Sequence, residues 1–245
     1  MSIPSRIFAT TLGTAMIAVA TTVVLMFWIA TNTDRIAAEE TKKRVESNLN
    51  SLLHQNAVLT TDYGHWDAAY AWYQAADDGL LYENIGSGAA DSSAFDMLYL
   101  IGADGVATHA YASGVYETDL YFAAPEIIDV AVPRLQSQPL EPYAIEQGFV
   151  ALDGDIAIVA AVRIQPEDLT RPSTIDLTAA DIPMMIGVNW LDPTVIGQQL
   201  LIDGFMVSPP DTSTQSDHES MTLMGLDGGP IALLSWRAPL PGQTL

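Results

Sequence analysis

Between Thr60 and Gln74 the chain reads TTDYGHWDAAYAWYQ, a run holding the carboxylates Asp62 and Asp67, the imidazole of His65 and a dense set of aromatic rings. Residues three apart on a helix share a face, so Asp62 and His65 could present two ligands to a metal. A solvated or helix-packed histidine is the preferred reading, and His54, His109 and His218 stand at no complementary ligand spacing. The rings and carboxylates offer a second chemistry. Projected at about 100° per residue, Leu59, Tyr63, Trp66, Tyr70 and Tyr73 form one stripe, with Asp62 and Asp67 on its edges. Such a stripe either packs as core, with Asp67 pinning a neighbouring loop, or touches a ligand directly.

Other chemistries find little support. With no cysteine there are no disulfides, thiolate zinc sites or cysteine nucleophiles. No serine lies in a Gly-x-Ser-x-Gly elbow and no glycine-rich loop would cradle a phosphate. The Asp-Gly pairs lack the spaced acidic residues and distal glutamate of a calcium loop, and turn formation explains them. The chain is therefore expected to be neither an enzyme nor a cofactor protein.

The elements that must position the stripe begin at the N-terminus. No charged residue stands between Arg6 and Asp34, and a bilayer needs about 20 mostly apolar residues. Residues 7–33 are accordingly expected to span a membrane behind a short tail, residues 1–6. The small-x-small triplet Ala18-Val19-Ala20 resembles a cleavage site, but the apolar run continues directly past it. Arg35, Lys42, Lys43 and Arg44 beyond the span oppose an N-terminus-in orientation on a bare positive-inside count. The tail of six residues, with Arg6 abutting the span, argues for that orientation and an exported bulk.

Charge separates the two ends further. Of 9 basic and 30 acidic residues, five and three respectively lie up to Arg44, leaving four basic against 27 acidic, a net of −23. A surface so acidic repels nucleic acid and anionic lipid headgroups, so no nucleic-acid partner is expected.

From Asp34 to about Ala76 there is no proline, and Val45, Leu49, Leu52, Asn56, Leu59, Tyr63, Trp66, Tyr70 and Tyr73 recur at heptad spacing. Residues 34–55 read as a stalk helix pairing with a second copy, Asn56 setting the register. A single helix lying on its own domain is the alternative. Beyond the helix, apolar runs turn at Asp104-Gly105, Asp153-Gly154 and Asp227-Gly228, the mark of hairpins in one antiparallel sheet. APEIIDVAV and DPTVIGQQLL read as helices opening on proline, and QPEDLTRPSTIDLTAADIP and VSPPDTSTQSDHES as polar loops. The fold class is α+β, with residues 56–245 as one domain.

The runs DYGHWDAAYAWYQ, LYENIG, FDMLYLIGADGVATHAY, GFVALDGDIAIVAAVRIQP and MMIGVNWLDPTVIGQQL resemble the fourth type of CHASE domain, with the Trp66-Asp67-x-x-Tyr70 core the most specific part. Where family members often carry a second acidic residue after the Trp-Asp pair, this chain has Ala68. The resemblance implies a PAS-like, Cache-type fold outside the cytoplasmic membrane and a small-molecule ligand. It also implies a cytoplasmic GGDEF, EAL or histidine kinase output beyond a second span, which would be expected to follow SWRAPLPGQTL. Trp66 and Tyr70 are expected against the strands around Met97–Ile101, Asp67 to take donors from the loop YENIGSGAADSS or a side chain such as Asn84, and Arg163 to be a cation available to an acidic ligand.

Overall fold

The computed structural model describes residues 3–92, 94–112, 115–116, 124–141, 144–166, 182–215 and 217–239. Most of the expected loop QPEDLTRPSTIDLTAADIP lies outside them.

One helix, α1, runs unbroken over Ile3–Gly64, about 90 Å at 1.5 Å per residue. Its N-terminal part is long and apolar enough to cross a membrane, and none of that apolar stretch is covered by the rest of the protein. After a break at His65-Trp66 come α2 (Asp67–Gln74), α3 (Asp78–Leu81), a π-helical turn (Tyr82–Gly86) and α4 (Ser87–Ala90). The strands β1 (Met97–Ile101), β2 (Ala107–Ala112) and β3 (Val115–Tyr116) precede α5 (Pro125–Ser137). Then follow β4 (Ile145–Leu152), β5 (Asp155–Arg163), β6 (Met184–Trp190) and α6 (Pro193–Leu200). The described chain closes with β7 (Met206–Ser208), β8 (His218–Met224) and β9 (Pro230–Arg237).

The expected hairpins form. At the β4–β5 turn Asp153 and Gly154 both take positive φ, 51° and 95°, the backbone of a two-residue turn whose twist matches the strands it joins. Both proline-initiated helices form as well, and Asp192 caps α6 by accepting from the N–H groups of Thr194 and Val195.

The strands build two antiparallel sheets, where the hairpin pattern predicts one. Six strands pair in the order β3-β2-β1-β6-β5-β4, and β7-β9-β8 stand apart. The reason is burial. Leu223, Ala232, Leu234 and Trp236 of the small sheet close over Val45 and Leu49 of α1, over α6, and over Phe149, Ile156 and Ile158 of the large sheet. Leu226 N–H donates to the Phe149 carbonyl, which docks the hairpin on β4 without extending the ladder.

The large sheet is covered on both faces, which explains why MLYLI is apolar throughout. Tyr99 and Ile101 face α5, while Leu98 and Leu100 face the layer made by α1, α2 and the turns after it. The helix α1 comes close enough to the sheet to need glycines. A Cβ at Gly187 would collide with Thr60 Oγ1, and one at Gly64 with Val162 Cγ2.

The stalk seam is therefore filled by the chain's own domain. Val45 and Leu49 are buried in the core shared with the small sheet, and Asn56, 4% exposed, donates to the carbonyls of Ile158 and Gly187 while accepting from Asn189 Nδ2. A polar side chain on an apolar stripe demands a specific partner, and here the partner is sheet backbone. The expected pairing of two copies through Val45, Leu49 and Asn56 does not account for that seam.

Candidate functional site

The long helix ends where its stripe meets the sheet. Gly64 is the last helical residue, and its carbonyl is taken by the Gln165 N–H at 3.2 Å, so the helical ladder stops there. Trp66 turns extended, at φ −131° and ψ 121°, and Asp67 opens α2, where its negative charge complements the positive end of the helix dipole. The heptad stripe from Leu59 to Tyr73 is thus divided between two helices.

The break makes a cleft of about 400 Å³ lined by Asp62, Tyr63, His65, Trp66 and Asn84. The elements meeting there are the end of α1, the extended link and the π-helical turn that carries Asn84. Such turns occur often at functional sites because the extra residue per turn redirects side chains. Asn84 Nδ2 donates to the Leu80 carbonyl at 3.0 Å. Asp62 is exposed and makes no hydrogen bond or ion pair among the described residues. Beside the cleft, Trp66 meets Trp72 edge to face, ring centroids 5.1 Å apart, and Tyr63 meets Phe95 in the same way at 5.6 Å.

The structure sorts the sequence-derived candidates. Asp62, Trp66 and Asn84 come together at the cleft. Trp66 is 39% exposed and does not join the core around Leu98 and Leu100, which corrects its expected place against β1. Tyr70, from the first turn of α2, does pack on that core, and neither it nor Asp67 lines the cleft. Asn84 turns its amide back on its own helical segment. Arg163 lies away from the cleft, buried in the fold. It is 1% exposed, and its guanidinium donates to the carbonyls of Leu135, Gln138 and Pro139 at the end of α5. Burial lowers its pKa, and the negative end of a helix is the environment that keeps it charged.

His65 and Tyr63 are wall residues that pattern reading does not single out for the site. His65 is 9% exposed, and burial lowers its pKa to about 4. A signal was present in Gly64, a weak helix former directly before it. Among the described residues no group of three or more His, Cys, Asp or Glu could hold a metal.

The His65 shift yields a pH dependence. The unfolded chain's imidazole takes a proton near its ordinary value of about 6.5, the folded one only near 4. Between those values the unfolded state binds more protons, so this contribution is whole above pH 6.5 and is lost as the pH falls through 4. Solvent at the cleft mouth reduces the effect, which is expected to be about 1–3 kcal/mol. Urea unfolding at pH 7, 5.5 and 4, compared between wild type and His65→Leu, checks it: the stability difference should shift against wild type on acidification. A pH-independent difference would show that His65 titrates normally.

The large sheet has its first hairpin beside the last strand of a β4-β5-β6 meander, with helices on both faces, which is a PAS-like plan. More narrowly, residues 48–199 match the family model described as the CHASE4 domain, and the chain belongs to that family. No curated protein matches the chain. Solved structures similar to it include these two. The extracellular domain of vpHK1S-Z8, a candidate histidine kinase, aligns at 10% identity and a TM-score of 0.48, over 88% of this chain and 98% of its own. The periplasmic sensory domain of the Campylobacter jejuni chemoreceptor Tlp1 aligns at 12% identity and a TM-score of 0.38, over 87% and 97%.

Proposed function

We propose that this chain is the extracytoplasmic, ligand-sensing input part of a membrane-bound signalling protein. In this reading residues 7–33 cross the cytoplasmic membrane, residues 1–6 lie inside, and the sensor domain lies outside. The observation that carries the proposal is the continuity of α1. One helix joins a stretch of membrane-spanning length to the wall of the cleft at Asp62, with no hinge between them. A ligand that shifts the end of α1 displaces a rigid element entering the bilayer, and membership of the CHASE4 family supports such a role. The output is a GGDEF, EAL or histidine kinase domain, and the chain itself performs no catalysis. A membrane-anchored binding module without output is the second reading.

Topology is the first thing to test. Alkaline phosphatase, active only after export, is fused after Leu245 in one strain and a cytoplasmic fluorescent reporter in another. Phosphatase activity with a dark cytoplasmic reporter is expected. The reverse pattern would place the cleft in the cytoplasm and end the sensor reading.

A further inference from the structure

We propose that the cleft at the helix break takes a cationic amine, its ammonium group set against the Asp62 carboxylate and the aromatic surfaces of Tyr63 and Trp66. The proposal rests on the sensor reading above and names the ligand class of the same site.

Four observations lead to it. First, the charge of the lining is negative. Asp62 is the one carboxylate among the five lining residues and none of them is Lys or Arg, so an anionic ligand would find no counter-ion. Second, two arginines of the domain are engaged elsewhere among the described residues. Arg163 is bonded to the end of α5, and Arg134 lies 3.4 Å from Glu146. Third, the cleft is rich in acceptors. Asp62 makes no bond among the described residues, and Asn84, having donated to Leu80, is left with its amide oxygen to offer. Acceptors of this kind match the N–H donors of an ammonium. Fourth, an indole 39% exposed beside a carboxylate is costly to leave in water unless something covers it. A cation near the ring is attracted by its negative face.

His65 stays neutral at physiological pH, so it adds no opposing charge. The net charge of −23 after Arg44 raises the local concentration of cations over the domain. A volume of about 400 Å³ suits a small amine and is too small for a polymer.

The test uses the full chain in detergent micelles at neutral pH, with three probes of nearly equal shape: tert-butylammonium, tert-butanol and pivalate. Calorimetry and tryptophan fluorescence read the binding. The ammonium is expected to bind about ten-fold or more tightly than either other probe. Asp62→Asn and Trp66→Leu are each expected to weaken it about five- to twenty-fold. Both positions are exposed, and circular dichroism verifies folding. If the alcohol or pivalate binds as well as the ammonium and Trp66→Leu still weakens it, the cleft is a ligand site of another class: the amine proposal falls and the sensor reading stands. If the ammonium binds equally to wild type and both variants, it binds elsewhere and this cleft is not the site. Absence of binding by all three probes would also overturn the proposal, while the reporter fusions decide the topology independently.

Discussion

Arg163→Met is expected to lower the unfolding free energy by about 3–5 kcal/mol, measured by urea denaturation of the full chain in micelles. Methionine keeps much of the volume and removes all the donors. The guanidinium spans three carbonyls, Leu135 at 2.6 Å, Gln138 at 2.7 Å and Pro139 at 3.0 Å, where α5 gives way to the segment leading to β4. A helix end leaves its last carbonyls without intrahelical donors; Leu135 keeps the Gln138 N–H at 3.2 Å, but the carbonyls of Gln138 and Pro139 lose their donor, and buried acceptors left unpaired each cost about 1–3 kcal/mol. The positive charge also sits at the negative end of the helix dipole. Lysine should recover only part of the loss, since one ammonium cannot spread its donors as the planar guanidinium does. A wild-type midpoint for Arg163→Met would show that these bonds contribute nothing.

How legible this arrangement was in the sequence depended on how far apart the interacting groups lie. The hairpins at Asp104-Gly105, Asp153-Gly154 and Asp227-Gly228 are local, since turn backbone and apolar alternation sit within a few residues, and all three form. The start of α6 was legible for the same reason, because Asp192 and Pro193 are adjacent cap and first-turn residues. Asn56 was seen as a seam residue that needs a partner, but the pattern is the same whether that partner is a second helix or the carbonyls of Ile158 and Gly187. Arg163 likewise shows in the sequence as a lone cation in an apolar strand, and only the fold brings the end of α5 to it. The break at His65 was hidden because the apolar spacing continues through it in register. It is imposed by a tertiary contact, the Gln165 N–H on the Gly64 carbonyl. Three of the five cleft residues are legible, since Asp62, Trp66 and Asn84 stand out in the sequence and do meet. Tyr63 and His65 were assigned to packing because a continuous helix would have placed them there.

The same tertiary closure makes Trp236→Ala the other large effect. Trp236 is fully buried where the small sheet closes on α1, stacked with Phe205 at a centroid distance of 6.2 Å and clustered with Val45, Leu49 and Leu234. Truncation removes the largest side chain of that cluster and leaves a cavity walled by two sheets and a helix, which cannot all collapse into it. A loss of about 3–5 kcal/mol is expected. Phenylalanine is a different case, because the indole Nε1 is buried with no hydrogen-bond partner among the described residues. Trp236→Phe discards that unmet donor together with some contact area, and the two effects offset to within about 1 kcal/mol. The consequence for α1 is local and measurable. Val45 and Leu49 hold the helix to the domain between its apolar stretch and the cleft, so loosening the cluster frees this part of α1 first. Hydrogen exchange of the amides from Val45 to Leu52 should quicken about ten-fold or more in Trp236→Ala and stay near wild type in Trp236→Phe. Equal protection in all three proteins would mean that α1 is held by its contacts with the large sheet, with the small sheet carrying none of the connection between membrane-length helix and cleft.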